Sequence, residues 1–131
     1  MSRSSVENAI RTRWDANFAA YPTQHDNQGD FTKPNDALWV RFNVRSGQTA
    51  QVSIGEQKRF RTAGVVIAQV FVPAHDGTGT AMLLADLVDT YFRAVTASGV
   101  TYLTPSVEHV GLSGAYWQTN ITIPFRADAL D

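Results

Sequence analysis

The spacing of apolar and polar residues changes several times along this chain, and each change marks an element. Val6, Ile10, Trp14 and Phe18 recur every fourth residue behind an S-x-x-E capping box at Ser4 and Glu7, which predicts a first helix ending near Ala20. Tyr21 and Pro22 stop it. Leu38, Val40, Phe42 and Val44 then alternate with Trp39, Arg41, Asn43 and Arg45, the period of a half-buried strand. From Arg61 to Pro73 the run Val65, Val66, Ile67, Ala68, Val70, Phe71, Val72 is apolar on both faces, as expected of a central strand flanked by strands and covered by a helix. Pro73 ends it, and Gly77 and Gly79 bracket a turn. Asp76, Thr78 or Thr80 then offers a cap to a second helix. Its apolar positions are Ala81, Leu84, Ala85, Val88, Phe92 and Val95, widened by Leu83, Leu87 and Tyr91, so it is expected to touch a second neighbour besides the sheet.

The remaining segments carry weaker patterns. Residues 22–36 are polar, with Gly29 and two prolines, and read as a long loop, either a functional excursion or a plain surface one. Between Gly47 and Gly55 the run QVSI predicts a turn, a short strand and a second turn, too poor in apolar residues for the core and suited to a projecting arm over 47–60. Gly99 is expected to close the second helix, and Pro105 to split VTYLTPSVEHVG into two strand pieces. After a hairpin loop marked by Gly111 and Gly114, the last run sets Trp117, Ile121, Ile123 and Phe125 on one face and Tyr116, Gln118, Asn120 and Thr122 on the other. The tail, residues 127–131, is expected to fray. The order α-β-β-β-α-β-β predicts one α+β domain over residues 1–131, with two helices on one face of a mixed or antiparallel sheet and a projecting hairpin.

Composition narrows the chemistry. The 131 residues suit one domain with one core, and 44% apolar with 18% charged residues describes a globular chain. A net charge of -1 gives no global attraction to nucleic acid or anionic membrane. Without cysteine there are no disulfides, thiolate metal sites or thiol nucleophiles. The start MSRSSVENAI lacks an apolar signal-peptide core, so folding is expected in the cytoplasm where the chain is made.

His25, His75 and His109 have no metal-ligand spacing, and no G-x-S-x-G elbow surrounds Ser113. No catalytic constellation is expected, and no cofactor. His75 and Asp76 beside Gly77 read as a helix cap or, alternatively, as an anion site used by a small enzyme or ligand-binding domain. Arg41 and Arg45 on one strand, with Lys58, Arg59 and Arg61 entering the next, form a basic cluster. It serves either as a charged edge that discourages strand pairing, or as a contact for an acidic subunit surface or passing DNA.

The whole chain resembles the phage tail-terminator-like family. The resemblance rests on the first helix, W-V-R-F at Trp39–Phe42, R-F-R-T-A-G-V-V-I-A-Q-V-F-V-P-A at Arg59–Ala74 and G-T-G at Gly77–Gly79. It continues through L-A-D-L at Leu84–Leu87, P-S-V at Pro105–Val107 and W-Q-T-N-I-T-I-P-F-R-A at Trp117–Ala127. The resemblance implies a structural virion protein that forms a ring, usually hexameric, on the head-proximal end of the tail tube, ends tube growth and joins the head connector. A head-completion or minor tail protein on a related fold is the neighbouring possibility. The implied partners are further copies of the chain, the major tail tube protein and the head–tail connector, with DNA only as passing cargo and no membrane. Carried onto this chain, the arm runs from Gly47 to Phe60, and Arg41, Arg45, Gln51, Ile54, Lys58, Arg59 and Arg61 are its expected contacts with sibling subunits or the tube.

Overall fold

A computed structural model describes residues 3–29, 31–34, 36–52, 55 and 59–130. The elements are α1 (Arg3–Asn17), β1 (Thr23–His25), β2 (Trp39–Gln51), β3 (Arg59–Pro73), α2 (Gly79–Phe92), β4 (Thr96–Ala97), β5 (Val100–Tyr102), β6 (Ser106–Ser113) and β7 (Tyr116–Leu130). The protein is α+β, with two helices and a mixed sheet ordered β1-β2-β3-β7-β5-β4. β6 also pairs with β7, beside its first half, while β5 lies beside its second half. Every pair is antiparallel except β1 with β2. β3 is central, as its two-sided apolar run predicts.

One face of the sheet carries the core. Val40, Phe42 and Val44 of β2, Val66, Ala68, Val70 and Val72 of β3, and Ile121, Ile123 and Phe125 of β7 are buried under both helices. Their ladder partners agree: Phe42 faces Ala68, which faces Ile121. The predicted stripe of α1 is buried entirely, with Trp14 stacked on Phe18 at 4.1 Å between ring centroids. Arg13 lies beside that stripe and not in it, yet it donates from Nε to the Tyr91 carbonyl at 2.8 Å, with a second donation from Nη2 to the same oxygen. Its guanidinium also lies 5.5 Å from the Phe92 ring centroid. A cation on the exposed carbonyls of the last turn of α2 satisfies groups that the helix leaves unpaired and suits its dipole.

The structure corrects several boundaries. The expected loop over 22–36 contains β1, whose three residues pair in parallel with Val40–Phe42 and make the sheet mixed. The expected turn at Gly47 is a bulge inside one long strand: Ser46 pairs with Gly64 and Thr49 with Thr62, so QVSI begins as a continuation of β2. A Cβ on Gly47 would lie 2.8 Å from the Ala63 carbonyl oxygen. α2 stops at Phe92, because Arg93 is extended and Ala94 left-handed at φ 54°. Gly99 therefore does not close the helix. With Ser98 it forms a two-residue turn, φ 53° and 79°, between β4 and β5, the positive-φ pair that a type I′ hairpin requires. Gly114, φ 62°, turns the β6–β7 hairpin, whereas Gly111 sits at a β6 bulge. Of the tail expected to fray, residues 127–130 continue β7 instead, pairing Ala127 with Thr62 and Leu130 with Arg59, and Asp131 lies outside the described residues. The α2 N-cap, Thr78, makes no side-chain cap bond, so the capping proposed for this turn is absent at that position.

Candidate assembly surfaces

Side chains alternate across a strand, so the residues that do not enter the core form a second sheet face that neither described helix covers. At one end of it Trp39, Phe71 and Tyr116 are buried together, with Trp39 and Phe71 stacked at 4.4 Å. The loop after β1 straps over them. Phe31 packs on Trp39 at 5.7 Å, and the Tyr116 hydroxyl donates to the Pro34 carbonyl at 2.6 Å. The Lys33 ammonium lies 5.2 Å from the Tyr116 ring. The loop is thus bound at several points, and Asp26 accepts from the Val44 N–H at 3.0 Å, capping the β2 edge just beyond β1.

The rest of this face is polar and basic. Arg41 lies 5.4 and 5.6 Å from the Trp39 and Phe71 rings, so its charge stays at the surface while its plane covers aromatic area. Arg45 is exposed, in ladder with Val65 and, beyond it, Pro124. Arg61 makes a two-pronged pair with Asp128, Nε to Oδ1 at 2.8 Å and Nη2 to Oδ2 at 3.1 Å. That hydrogen-bonded pair holds the Asp128 carboxyl below its ordinary pKa and raises that of the Arg61 guanidinium. Gln51 ends β2 opposite Phe60, and Arg59 opens β3 opposite Leu130. Ile54 and Lys58 lie outside the described residues. The fold therefore brings Arg41, Arg45, Arg59 and Arg61 onto one sheet face and adds Arg126 from β7, which the spacing in ITIPFRA also places on its polar side.

The arm is better supported than its composition suggests. Its first part has three strands, since β3 is flanked by β2 through Gln51 and by β7 through Leu130. Val52 still bonds back, its N–H donating to the Arg59 carbonyl at 2.8 Å. On the opposite side of the molecule the turn at His75 and Gly77 lines a shallow trough of 270 Å³ with Thr78, Leu112 and Trp117. Its lining is almost wholly apolar, which does not favour the anion reading of that turn. Among the described residues no three His, Asp or Glu side chains are gathered to hold a metal, and no helix is long and apolar enough to cross a membrane.

Two helices on one face of a mixed sheet, with the other face basic and partly bare, define an α+β module whose distinctive surfaces are edges and an arm. The family model of the phage tail terminator protein matches residues 5–125. The chain belongs to that family, and its role is structural, in the phage tail and among other tail components. Fourteen solved chains match it; one aligns at 22% identity over 97% of this chain and 96% of that chain with a TM-score of 0.70, a likeness of fold. No curated protein matches the sequence.

Proposed function

We propose that this protein closes the head-proximal end of the tail tube as a ring of identical subunits, six being the number its family resemblance implies, ends tube polymerisation and presents the joint to the head connector. The observation that carries the reading is the family match over residues 5–125. A chain with two unlike sheet edges and an arm braced by three strands suits a head-to-tail contact repeated round a closed ring. The arm and the basic face, with Arg41, Arg45, Gln51, Arg59 and Arg61, supply contacts between neighbours or with the tube, and Arg126 joins them. Free in dilute solution the chain is a monomer or weak oligomer, and the tube end supplies the template for the ring.

The test is deletion and add-back. Particles lacking the protein carry tubes of uncontrolled length that do not join heads, and purified protein added to isolated tubes binds one end only, with copy number read by native mass spectrometry. Normal tail length and head joining after deletion overturn the proposal.

A further inference from the structure

α2 carries a second apolar stripe that the fold leaves in solvent. Ala81, Leu84, Ala85, Val88 and Phe92 enter the core, while Leu83 and Leu87, one turn apart, stand 66% and 38% accessible. Asp86 lies exposed between them, and the helix holds Asp86 and Asp89 but no Lys or Arg. The outer face of α1 has no such stripe, since its exposed residues are Arg3, Ser4, Asn8, Thr12, Asp15 and Ala16.

The bare sheet face is complementary to that stripe. β3 sets Val65 and Ile67 on it, half-buried, with Pro124 of β7 beside Val65. Leu103, whose N–H bonds to the Pro124 carbonyl, takes the opposite side of its strand from buried Tyr102 and so joins this face, exposed. Arginines flank this apolar centre. Arg45 is the β2 partner of Val65, and Arg126 lies two residues beyond Pro124. Both are exposed, and neither forms an ion pair among the described residues. The carboxylates on the strands of this face are Asp128, held by Arg61, and Glu108, at the far edge beyond Asn120. The loop after β1 covers only the Trp39 end.

We infer that α2 of one copy packs through Leu83, Asp86 and Leu87 on Val65, Ile67, Pro124 and Leu103 of the next copy's helix-free sheet face. A helix apolar on two sides needs two neighbours, and a sheet face with an apolar centre needs a covering layer. The dimensions agree, because the 14 residues of α2 span about 21 Å and the open stretch from Ala63 to Gln69 about 20 Å. Charge agrees as well. Asp86 stands on one flank of the two leucines, so it meets Arg45 with the helix laid one way along the strands and Arg126 with it reversed. β6 also exposes Val107, Val110 and Leu112, but it holds Glu108 and no Lys or Arg, so it repels the acidic stripe.

The contact joins two faces, so the β1, β4 and β6 edges take no part in it. Front-to-back packing is heterologous, and a rotation between copies closes it into a ring. A helix-sized strip covers about 300 Å² on each partner, against roughly 800 Å² in a stable complex, so one contact alone is weak and closure or a template must support it.

This inference rests on the ring reading for its setting, and the experiment separates the two. The chain has no native cysteine, and positions 65 and 83 lie on opposite sides of the molecule, so Val65→Cys and Leu83→Cys in one chain can be linked only between copies. Treated with a short bifunctional thiol reagent, on tail tubes or in concentrated solution, the double variant forms a ladder of oligomers, whereas each single variant stops at a dimer. Leu83→Asp weakens self-association in sedimentation by about 10-fold or more. Asp86→Arg weakens it about 2- to 5-fold, and Arg45→Glu or Arg126→Glu in the same chain restores it, according to the direction of the helix. Leu83, Asp86, Arg45 and Arg126 are exposed, so loss of folding does not account for these effects. Capped tubes on which the double variant gives no ladder, or on which Leu83→Asp assembles as wild type does, overturn this packing and leave the ring reading intact; so does restoration by neither arginine variant. A ladder in concentrated solution from a chain that never binds tube ends overturns the ring reading alone.

Discussion

Arg61 of β3 and Asp128 of β7 face each other across one rung of the ladder and close a two-pronged ion pair at the root of the arm. The pair joins the last described residues of the chain to the strand that enters the hairpin. Its lowered carboxyl pKa means that the contribution is complete above the unfolded carboxylate pKa and is lost as pH falls through the folded value. Asp128→Asn should raise amide exchange at residues 59–63 and 125–130 at neutral pH while leaving the helices unchanged. Acidifying the native protein should do the same, which exchange measured at two pH values can check.

Tyr102 is buried beneath the helices, edge-on to Phe92 at 5.0 Å, and desolvation pushes its pKa up to about 12 although Arg13 opposes the shift. The folded state holds this proton more tightly than the unfolded state does. Stability is therefore full below pH 10 and falls between pH 10 and 12, by up to about 3 kcal/mol. A spectrophotometric titration should find one of the four tyrosines ionising last, and Tyr102→Phe should flatten the alkaline loss.

Arg13 ties α1 to the end of α2, so Arg13→Met should cost about 1–3 kcal/mol in chemical denaturation through the unpaired Tyr91 carbonyl. Arg3→Met, on an exposed residue at the start of the same helix, should fall within about 0.5 kcal/mol of wild type.

Gly64 lies where β2 and β7 crowd β3. A Cβ there would meet Phe125 Cζ at 2.7 Å and the Arg45 carbonyl oxygen closer still. The ring can swing but the carbonyl is fixed in the ladder, so Gly64→Ala should destabilise by about 1–3 kcal/mol, read as a lower Tm.

Trp39 buries an Nε1–H that has no partner among the described residues. Trp39→Phe removes that orphaned donor and keeps the stack on Phe71, so its cost should stay under about 1.5 kcal/mol, whereas Trp39→Ala should cost about 3–5 kcal/mol. Equal losses in the two variants would show that the stack contributes nothing.

The core was legible wherever one period ran long enough. The four-residue stripe of α1 and the alternation in β2 and β7 specify which side chains are buried, because each satisfies one face of a single regular element. Legibility failed where tertiary partners decide. Thr23–His25 is three residues with no apolar alternation, and it is a strand because Val40–Phe42 offers an open edge. Residues 127–130 carry no strong strand signal and pair because β3 extends far enough to receive them. The bulge at Gly47 shifts the alternation by one residue and reads in sequence as a turn. The basic face could be listed from β2 and β3, but Arg61 turned out to hold Asp128, whose position 67 residues later gave no hint of contact.

β3 and β7 are each 15 residues long and run unbroken from beneath the helices into the arm. At the usual rise they are beams of about 50 Å, rooted in the packed interior at Val66 and Ile123. Load applied at the outer end has no hinge in these two beams to absorb it, so whatever grips the arm also steers the orientation of the body behind it.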